Sequence, residues 1–414
     1  MGIPYYFTLL IQKHRDVIVP RDAVHRVDNL YFDCNSIIYD ELRRGGDAEA
    51  AVSASPAFGA PPREAAELIR RIISKIWSYI DEVRPVARVF IAFDGVAPVA
   101  KLSQQRNRRY KSAFESELNA ARSITPGSPP GASGACPTAL STGDFTPGTA
   151  FMDQLARAIR AEFMPAAKTS GCSRREARGR RRHDVEFHVS TSDEPGEGEH
   201  KIFEFIRANA DHHTRTVTFV YGIDSDLIML ALNHSHAANY TIYLYRETPE
   251  FIKSVDKTLD ADVSYVIDIP RLSKHILTML NHESFARYIA CPNLRDAFRR
   301  NQLYDYILLC FLLGNDFVPK SPSVNIRGKG IEFLLSCYRT HLDECAAAMG
   351  NTQCAPNGVQ KEADLPNLTD GKTVWWPRVR RIVQEVATYE HARLLYEHQR
   401  RSQPYVFREH ENTP

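Results

Sequence analysis

Two glutamates separated by one glycine are the residues of this sequence best suited to do chemistry. Glu197 and Glu199 lie in a turn rich in proline and glycine, between a strand-like segment at residues 185–189 and a helical pattern. Carboxylates in such a turn contribute no packing, and the adjacent glycines let the backbone approach a ligand closely. Hard divalent cations bind converging carboxylate oxygens. For this motif alone, a solvated acidic turn is the alternative interpretation.

More acids stand where other apolar segments end. These are Asp33, Asp94, Asp224 and Asp226. In a parallel α/β sheet, ligands bind beyond the carboxyl ends of the strands, so we expect these side chains to meet at one edge. Their mutual repulsion would destabilise the fold unless cations were bound. The pattern therefore predicts a metal cluster rather than a coincidence of surface acids.

A cluster of six or seven carboxylates offers more ligands than one ion needs. Two Mg²⁺ or Mn²⁺ ions would clamp the attacking and leaving oxygens of an in-line phosphoryl displacement. One ion would generate the nucleophile from water, and the other would stabilise the leaving oxyanion. A serine, cysteine or histidine nucleophile is then unnecessary. The predicted chemistry is metal-dependent hydrolysis of a phosphodiester.

A polar, basic helix is predicted at residues 100–121, directly after Asp94. Four of its side chains share one helical face, namely Lys101, Gln105, Arg108 and Arg109. Forked guanidinium donors and a lysine point charge together suit a phosphate group. A merely exposed basic face is the alternative. The position next to a predicted metal ligand favours a phosphate pocket.

The elements that must position these residues alternate between strands and helices. Such alternation predicts an α/β fold with a mostly parallel central sheet flanked by helices. Strands are predicted at the segments that end in acids and at residues 240–245. Besides the basic helix, helical patterns occupy residues 5–12, 63–83, 152–163 and 303–313 and the tail from residue 377. The rest of residues 1–28 is predicted to be a loop.

Composition and charge narrow the class of protein. The chain has 414 residues and a net charge of only +2, so a nucleic-acid site would have to be local. Eight scattered cysteines without a CxxC pair argue against zinc and favour a reducing compartment. Neither a signal peptide nor a membrane-spanning run is evident. Six arginines between residues 174 and 182 indicate a solvated loop, with a nuclear-import or RNA-contacting patch as the alternative.

The sequence resembles the XRN-type 5′→3′ exoribonucleases in seven segments that follow the family's order. The likeness spans about residues 1–345 and continues more weakly to about 390. The matching segments are residues 1–7, 30–38, 94–109, 146–149, 194–207, 221–230 and 314–327.

The resemblance implies a core like that of PIN and flap nucleases and a substrate, single-stranded RNA with a 5′-monophosphate, that is degraded stepwise to mononucleotides. It implies two bound Mg²⁺ ions, with Mn²⁺ possible, held by Asp33, Asp94, Glu197, Glu199, Asp224, Asp226 and Asp316. It assigns Lys101, Gln105, Arg108 and Arg109 to the 5′-phosphate pocket. Asn35, beside the first acid, would position a ligand or the scissile phosphate.

Two departures from the family pattern stand out. Tyr39 occupies the position of a histidine that stacks on the first base, and a tyrosine ring can still stack. The sequence also resembles a shortened member of the family that lacks most of the second conserved region. In the family that region carries the aromatic residue that stacks on the other side of the first base. We therefore expect weaker processivity, or completion of the site by a partner protein.

The predicted organisation is a nuclease domain at residues 1–345, with loop insertions at 123–145 and 168–183, and a helical C-terminal extension at 346–414. A structure-specific flap-type DNA nuclease and a catalytically silent module that binds RNA 5′ ends are the alternative functions. A decapping or scaffold protein is an expected partner. Association with a membrane is not expected. The expected location is the cytoplasm, with the nucleus as the alternative.

Overall fold

The computed structural model describes most of the chain. The described residues are 6–46, 63–122, 142–164, 185–222, 226–238, 240–246, 259–260, 262–280, 283–287, 289, 291–315, 317–326, 329–351 and 361–402. Two compact units are present. One comprises Arg15–Pro270, and the other comprises Met1–His14 together with Arg271–Pro414. The sequence-based division at residue 345 remains a prediction.

The unit Arg15–Pro270 is built on a seven-stranded sheet. Its strands are β1 (Ile18–Pro20), β2 (Asn29–Asp33), β3 (Arg88–Ala92), β4 (Glu186–Ser190), β5 (Val217–Tyr221), β6 (Thr241–Arg246) and β7 (Tyr265–Asp268). The spatial order is β1-β7-β6-β5-β2-β3-β4. Among the described residues, strands β4, β3, β2, β5 and β6 pair in parallel, and the two pairs that involve β7 are antiparallel. The predicted mostly parallel sheet is confirmed.

Helices cover both faces of this sheet. After α1 (Tyr6–Lys13) of the other unit, the helices of this unit are α2 (Asn35–Gly46), α3 (Arg63–Val83), α4 (Val99–Arg122), α5 (Ala150–Phe163), α6 (Gly198–Ala208), α7 (Ala210–His213) and α8 (Asp226–Ala238). On one face, Leu30 and Phe32 of β2 share a core with α3. On the opposite face, the Tyr31 ring packs edge-on against Phe205 of α6. Strands buried on both faces need the continuous apolar runs that the sequence shows.

The helical pattern at residues 63–83 explains how α3 is attached. Leu68, Ile72, Ile76 and Ile80 recur every four residues and are all buried. This spacing places them on one stripe of the helix. The helix therefore lies with that stripe against the sheet, and its observed bounds, Arg63–Val83, are those predicted from the sequence.

The second unit is helical. After α1, its helices are α9 (Ile269–Leu280), α10 (Glu283–Ala286), α11 (Pro292–Phe311), α12 (Gly330–Asn351), α13 (Trp376–Thr388) and α14 (Glu390–Ser402). The buried Asp305 of α11 accepts hydrogen bonds from Tyr338 of α12 and from the backbone of Leu368 and Thr369. No helix within the described residues is both long and apolar enough to cross a membrane.

Some elements differ from the sequence-based expectation. Strand β1 lies in a segment predicted to be a loop, and β7 was not predicted, because strands of three or four residues are too short to show a period. Helix α11 begins at Pro292, eleven residues before the predicted start, since its first turns carry a polar sequence. Phe145, within the predicted insertion 123–145, is buried against Phe151. The insertion 168–183 lies outside the described residues.

Candidate metal centre and phosphate pocket

The first two predicted acids lie at the same edge of the sheet. Asp33 is the last residue of β2 and pairs in register with Ala92, the last residue of β3. Asp94 follows β3 by two residues, and its backbone N–H donates to Asn35 Oδ1 over 3.0 Å. Asn35 begins helix α2 directly behind Asp33. The amide of Asn35 therefore fixes the chain that carries Asp94 beside the end of β2.

The glutamate turn is fastened to these two strand ends at Gly198. The Gly198 N–H donates to Asp94 Oδ1 over 2.7 Å. A Cβ atom at this position would lie 2.6 Å from Asp33 Oδ1, closer than any real contact. Only glycine lets the first turn of α6 approach Asp33 so closely. Asp33, Asp94 and the segment 197–199 are thereby brought together.

Asp226 joins the group from the next strand. It is the first residue of α8, which follows β5, and its charge acts on Glu199. Burial and the nearby Asp226 carboxylate raise the pKa of Glu199 to about 8. A buried carboxylate near a second one is costly to ionise unless a positive charge is added. Asp224 and Asp316 lie outside the described residues.

A lysine from the basic helix reaches into the same cluster. Lys101 Nζ donates to Glu197 Oε2 over 2.8 Å, and both side chains are buried. Burial opposes ionisation of Glu197, but contacts with His200 and Lys101 outweigh it and lower the pKa of Glu197. Glu197 therefore ionises more readily than an ordinary glutamate, and Glu199, two residues later, ionises less readily.

Comparison with known proteins places this arrangement in a family. The family model of the XRN 5'-3' exonuclease N-terminus matches residues 1–248, and that of the Xrn1 helical domain matches residues 299–413. The chain belongs to the XRN family. All the described acids of the cluster lie within the first of these matches.

Two relatives illustrate the extent of the XRN likeness. The 5'-3' exoribonuclease 2 of Schizosaccharomyces pombe is 30% identical over 390 residues, which cover 83% of this chain and 36% of that protein. The 5'-3' exoribonuclease 1 of Saccharomyces cerevisiae is 28% identical over 353 residues, which cover 83% of this chain and 21% of that protein. The chain thus spans well under half the length of these curated relatives.

Among solved structures, the catalytic core of Rad2 in complex with DNA superposes on 92% of this chain and 84% of its own. The TM-score is 0.37 and the sequence identity is 13%.

The acids of this XRN chain fit a divalent cation. Glu197 and Glu199 are only 2% and 5% exposed. Glu197 Oε1 and Glu199 Oε2 are buried, and neither has a hydrogen-bond partner among the described residues. Buried carboxylate oxygens without donors are costly, and a bound cation would remove that cost. Oxygen ligands of this type suit Mg²⁺ and Mn²⁺.

The sequence-based prediction did not include His200. One ligand atom each from Glu197, Glu199 and His200 lies within 4.8 Å of the others, close enough for a shared metal ion. The spacing of Glu197 and His200, three residues apart at the start of a helix, was the available signal. The buried Lys201 is a second omission. Its Nζ donates to the carbonyl oxygens of Phe93 and Thr191, over 2.9 Å each, and so ties the ends of β3 and β4 together.

The predicted phosphate-binding residues share α4 but differ in burial. Lys101 is buried against the cluster, Gln105 is half-buried and Arg109 is exposed. The side chain of Arg108 is outside the described part of the chain. The role of these residues in phosphate binding remains a prediction, with Lys101 as the physical link between the basic helix and the acids.

Tyr39, the predicted base-stacking residue, lies on α2. Its half-buried ring packs edge-on against Phe145, with the ring centroids 5.7 Å apart. Part of the ring is therefore engaged by the protein, and stacking on a base remains a prediction for the part that is exposed.

Proposed function

We propose that this chain is the nuclease region of a 5′→3′ exoribonuclease. Its substrate would be single-stranded RNA with a 5′-monophosphate, and its products mononucleotides. The observation that carries the proposal is the pair of buried, unpartnered carboxylate oxygens of Glu197 and Glu199 beside the buried ammonium of Lys101. Membership of the XRN family supports it.

The metal sites we propose comprise Asp33, Asp94, Glu197, Glu199 and Asp226, with Asp224 and Asp316 completing the ligand set predicted from sequence. Two Mg²⁺ ions are proposed, with Mn²⁺ as the substitute. When bound, such ions supply a deprotonated water as nucleophile and neutralise the leaving oxygen. Gly198 and Asn35 act as positioning residues, since they hold Asp33 and Asp94 within reach of the glutamates.

The position of Lys101 supports degradation that starts from the 5′ end of the RNA. Its ammonium group is hydrogen-bonded to a proposed metal ligand, and the same helix presents Gln105, Arg108 and Arg109. A terminal phosphate held by these donors would place the first phosphodiester near the acids. Each cleavage then leaves a new 5′-phosphate for the same pocket. A cap or triphosphate would be excluded by its size.

The whole-protein context is also proposed. A decapping protein, or a scaffold that recruits one, would supply the monophosphorylated ends, and we propose the cytoplasm as the place of action. The arginines at 174–182 make the nucleus the alternative. Localisation of a tagged full chain, with and without those arginines, tests this point.

A cleavage assay tests the proposed function. One single-stranded RNA, labelled at its 3′ end, carries either a 5′-monophosphate or a 5′-hydroxyl and is incubated with and without Mg²⁺, beside a labelled DNA flap. We expect Mg²⁺-dependent release of mononucleotides from the phosphorylated RNA alone. Cutting at the flap junction would replace the proposal with the DNA-nuclease alternative. Binding of phosphorylated ends without any cleavage would indicate the silent module instead.

A further inference from the structure

The two residues that flank Asp94 are both hydrogen-bonded to the segment that carries the glutamates. On one side, the carbonyl oxygen of Phe93 accepts a hydrogen bond from Lys201 Nζ over 2.9 Å. On the other side, the Gly95 N–H donates to the carbonyl oxygen of Gly196 over 2.8 Å. Asp94 is therefore held from both sides, in addition to the hydrogen bond that its own carboxylate accepts.

The same two hydrogen bonds enclose the glutamates. Gly196 directly precedes Glu197, and Lys201 follows Glu199 by two residues. The bonds therefore close a ring of chain that contains Asp94, Glu197 and Glu199. Because the ring is fastened at both ends, the separation between Asp94 and the two glutamates is fixed in the metal-free chain.

The ammonium group of Lys201 holds one end of this ring. Lys201 is only 8% exposed, and its Nζ also donates to the carbonyl oxygen of Thr191 over 2.9 Å. Phe93 directly follows β3 and Thr191 directly follows β4, whereas Lys201 lies in the first turns of α6. A buried ammonium group is costly unless it is hydrogen-bonded. Here its hydrogen bonds join the ends of two strands to the helix that carries Glu199.

Gly95 holds the other end, and no larger residue fits there. A Cβ atom at this position would lie 1.8 Å from the carbonyl oxygen of Glu194. The opposite residue, Gly196, has φ +98°, a conformation that glycine adopts without strain. The Gly196 N–H donates to the carbonyl oxygen of Val96 over 3.0 Å, so two backbone hydrogen bonds join the segments at this end.

We infer that Lys201 and Gly95 are positioning residues of the proposed metal centre, which hold Asp94 against Glu197 and Glu199 before a cation is bound. The inference rests on the proposed function for the identity of these acids as metal ligands. Residues that orient metal ligands without touching the metal typically contribute about 10- to 100-fold to metal affinity.

The charge of Lys201 makes positioning distinguishable from electrostatics. The ammonium group is close enough to Asp94 for the two charges to act on each other. A cation at that place repels a divalent metal ion, so an effect through charge alone would make removal of Lys201 strengthen metal binding. Positioning predicts the opposite sign. Gly95 carries no side-chain charge, so its replacement tests the geometry by itself.

The test is a titration of the full chain with Mn²⁺ in the absence of RNA, followed through the electron paramagnetic resonance signal of the free ion. Lys201→Met and Gly95→Ala should each bind Mn²⁺ at least about 10-fold more weakly than the parent chain. Lys201→Gln keeps a shorter, neutral donor and should change the affinity in the same direction. This variant replaces Lys201→Met if the latter does not fold, as judged by circular dichroism.

A core variant separates lost metal affinity from lost stability. Ile72→Val shortens a buried side chain of α3, in the core that this helix shares with β2, and should leave Mn²⁺ affinity unchanged. Folded Lys201 and Gly95 variants that bind Mn²⁺ as the parent chain does would overturn the inference. Tighter binding by Lys201→Met would also overturn it, in favour of an effect through charge. Failure of the parent chain to bind Mn²⁺ would instead contradict the proposed metal centre, so the two failures can be told apart.

Discussion

Lys101 Nζ lies 2.8 Å from Glu197 Oε2, and both groups are buried. This ion pair joins the basic helix α4 to the turn before α6 and places one positive charge among several carboxylates. In the proposed enzyme, the same ammonium group faces the substrate phosphate on one side and a metal ligand on the other. Its removal should therefore affect both stability and substrate preference.

Lys101→Met should destabilise the metal-free chain by about 3 kcal/mol, because it removes the buried ammonium group that donates to Glu197 Oε2 and leaves His200 as the remaining cationic partner. Added Mg²⁺ should restore more stability to this variant than to the parent chain, since a bound cation would replace the lost charge. Urea unfolding in EDTA and in Mg²⁺ measures both effects. Lys111→Met, at an exposed position of the same helix, is the control. An equal loss under both conditions would argue against a cation beside Glu197.

Glu199 predicts a pH dependence of the metal-free chain. The pKa of Glu199 is about 8 in the folded chain and 4.5 in the unfolded chain. Between these two pH values the folded chain therefore holds a proton on Glu199 that the unfolded chain has lost. The stability contributed by this group is full below about pH 4.5 and is lost as the pH rises to about 8, by at most about 5 kcal/mol. Glu199→Gln should flatten this part of the curve, as measured by urea unfolding in EDTA from pH 5 to 8.5.

In that experiment the free energy of unfolding of the variant is subtracted from that of the parent chain at each pH. The subtraction removes the contribution of the other titrating groups, because both proteins contain them. Parallel pH profiles of the two proteins would show that Glu199 is ionised throughout. Mg²⁺ binding should also release a proton at pH 7, detectable by calorimetry in two buffers of different ionisation enthalpy.

Gly198→Ala should weaken Mg²⁺ binding at least about 10-fold. Alanine is favoured over glycine within a helix by about 1 kcal/mol, yet here its Cβ atom would lie 2.6 Å from Asp33 Oδ1. Asp33 or the first turn of α6 must therefore shift. Calorimetric titration with Mg²⁺ measures the loss.

Gly148→Ala is a matched control for that variant. Gly148 has φ +88° and nothing within 4 Å of its added Cβ atom, so this change should cost stability through backbone strain without altering Mg²⁺ affinity. Unchanged metal binding by Gly198→Ala would remove Asp33 from the proposed ligands.

Asp305→Asn should destabilise the helical unit by about 3 kcal/mol. Burial raises the pKa of Asp305 to about 7, although four hydrogen bonds donated by Tyr338, Asn367, Leu368 and Thr369 oppose that shift. An asparagine would turn its amide donors toward two of those donors and leave them unpaired. Asp296→Asn, at an exposed position of the same helix, should be neutral. Thermal unfolding of both variants decides the comparison.

Much of the fold could be predicted because long apolar patterns determine long elements. The period of four in α3 and the buried run in β3 specify their own geometry. Strands β1 and β7 could not be predicted, because an edge strand of three or four residues is defined by its partner rather than by its own sequence. The polar first half of α11 was missed for a related reason, since burial of Asn301 and Gln302 depends on tertiary contacts.

The candidate site was predicted less completely than the fold. That Asp33, Asp94, Glu197 and Glu199 would meet follows from their places at strand ends. The Lys101–Glu197 pair and the Gly198–Asp33 contact required the strand register and the angle at which α6 leaves the sheet. His200 was missed because its spacing of three from Glu197 indicates a shared helical face only once the helix is known to start at that point. All the metal-ligand and phosphate-pocket assignments remain predictions, and for Asp224, Asp316 and the side chain of Arg108 the described part of the chain gives no position.

The central place of β2 has a consequence for how the protein is made. Asn29 pairs with Thr218, 189 residues later in the chain, and β3 flanks β2 on its other side. Pairing over such a separation is slow, because a long loop must close before the contact stabilises it. We therefore expect Asp33 of β2 and Asp226, the first residue of α8, to come together late in folding. A growing polypeptide would acquire its charge-dense centre only after residue 226 has been synthesised, which postpones the repulsion among these carboxylates until most of the surrounding sheet exists to hold them.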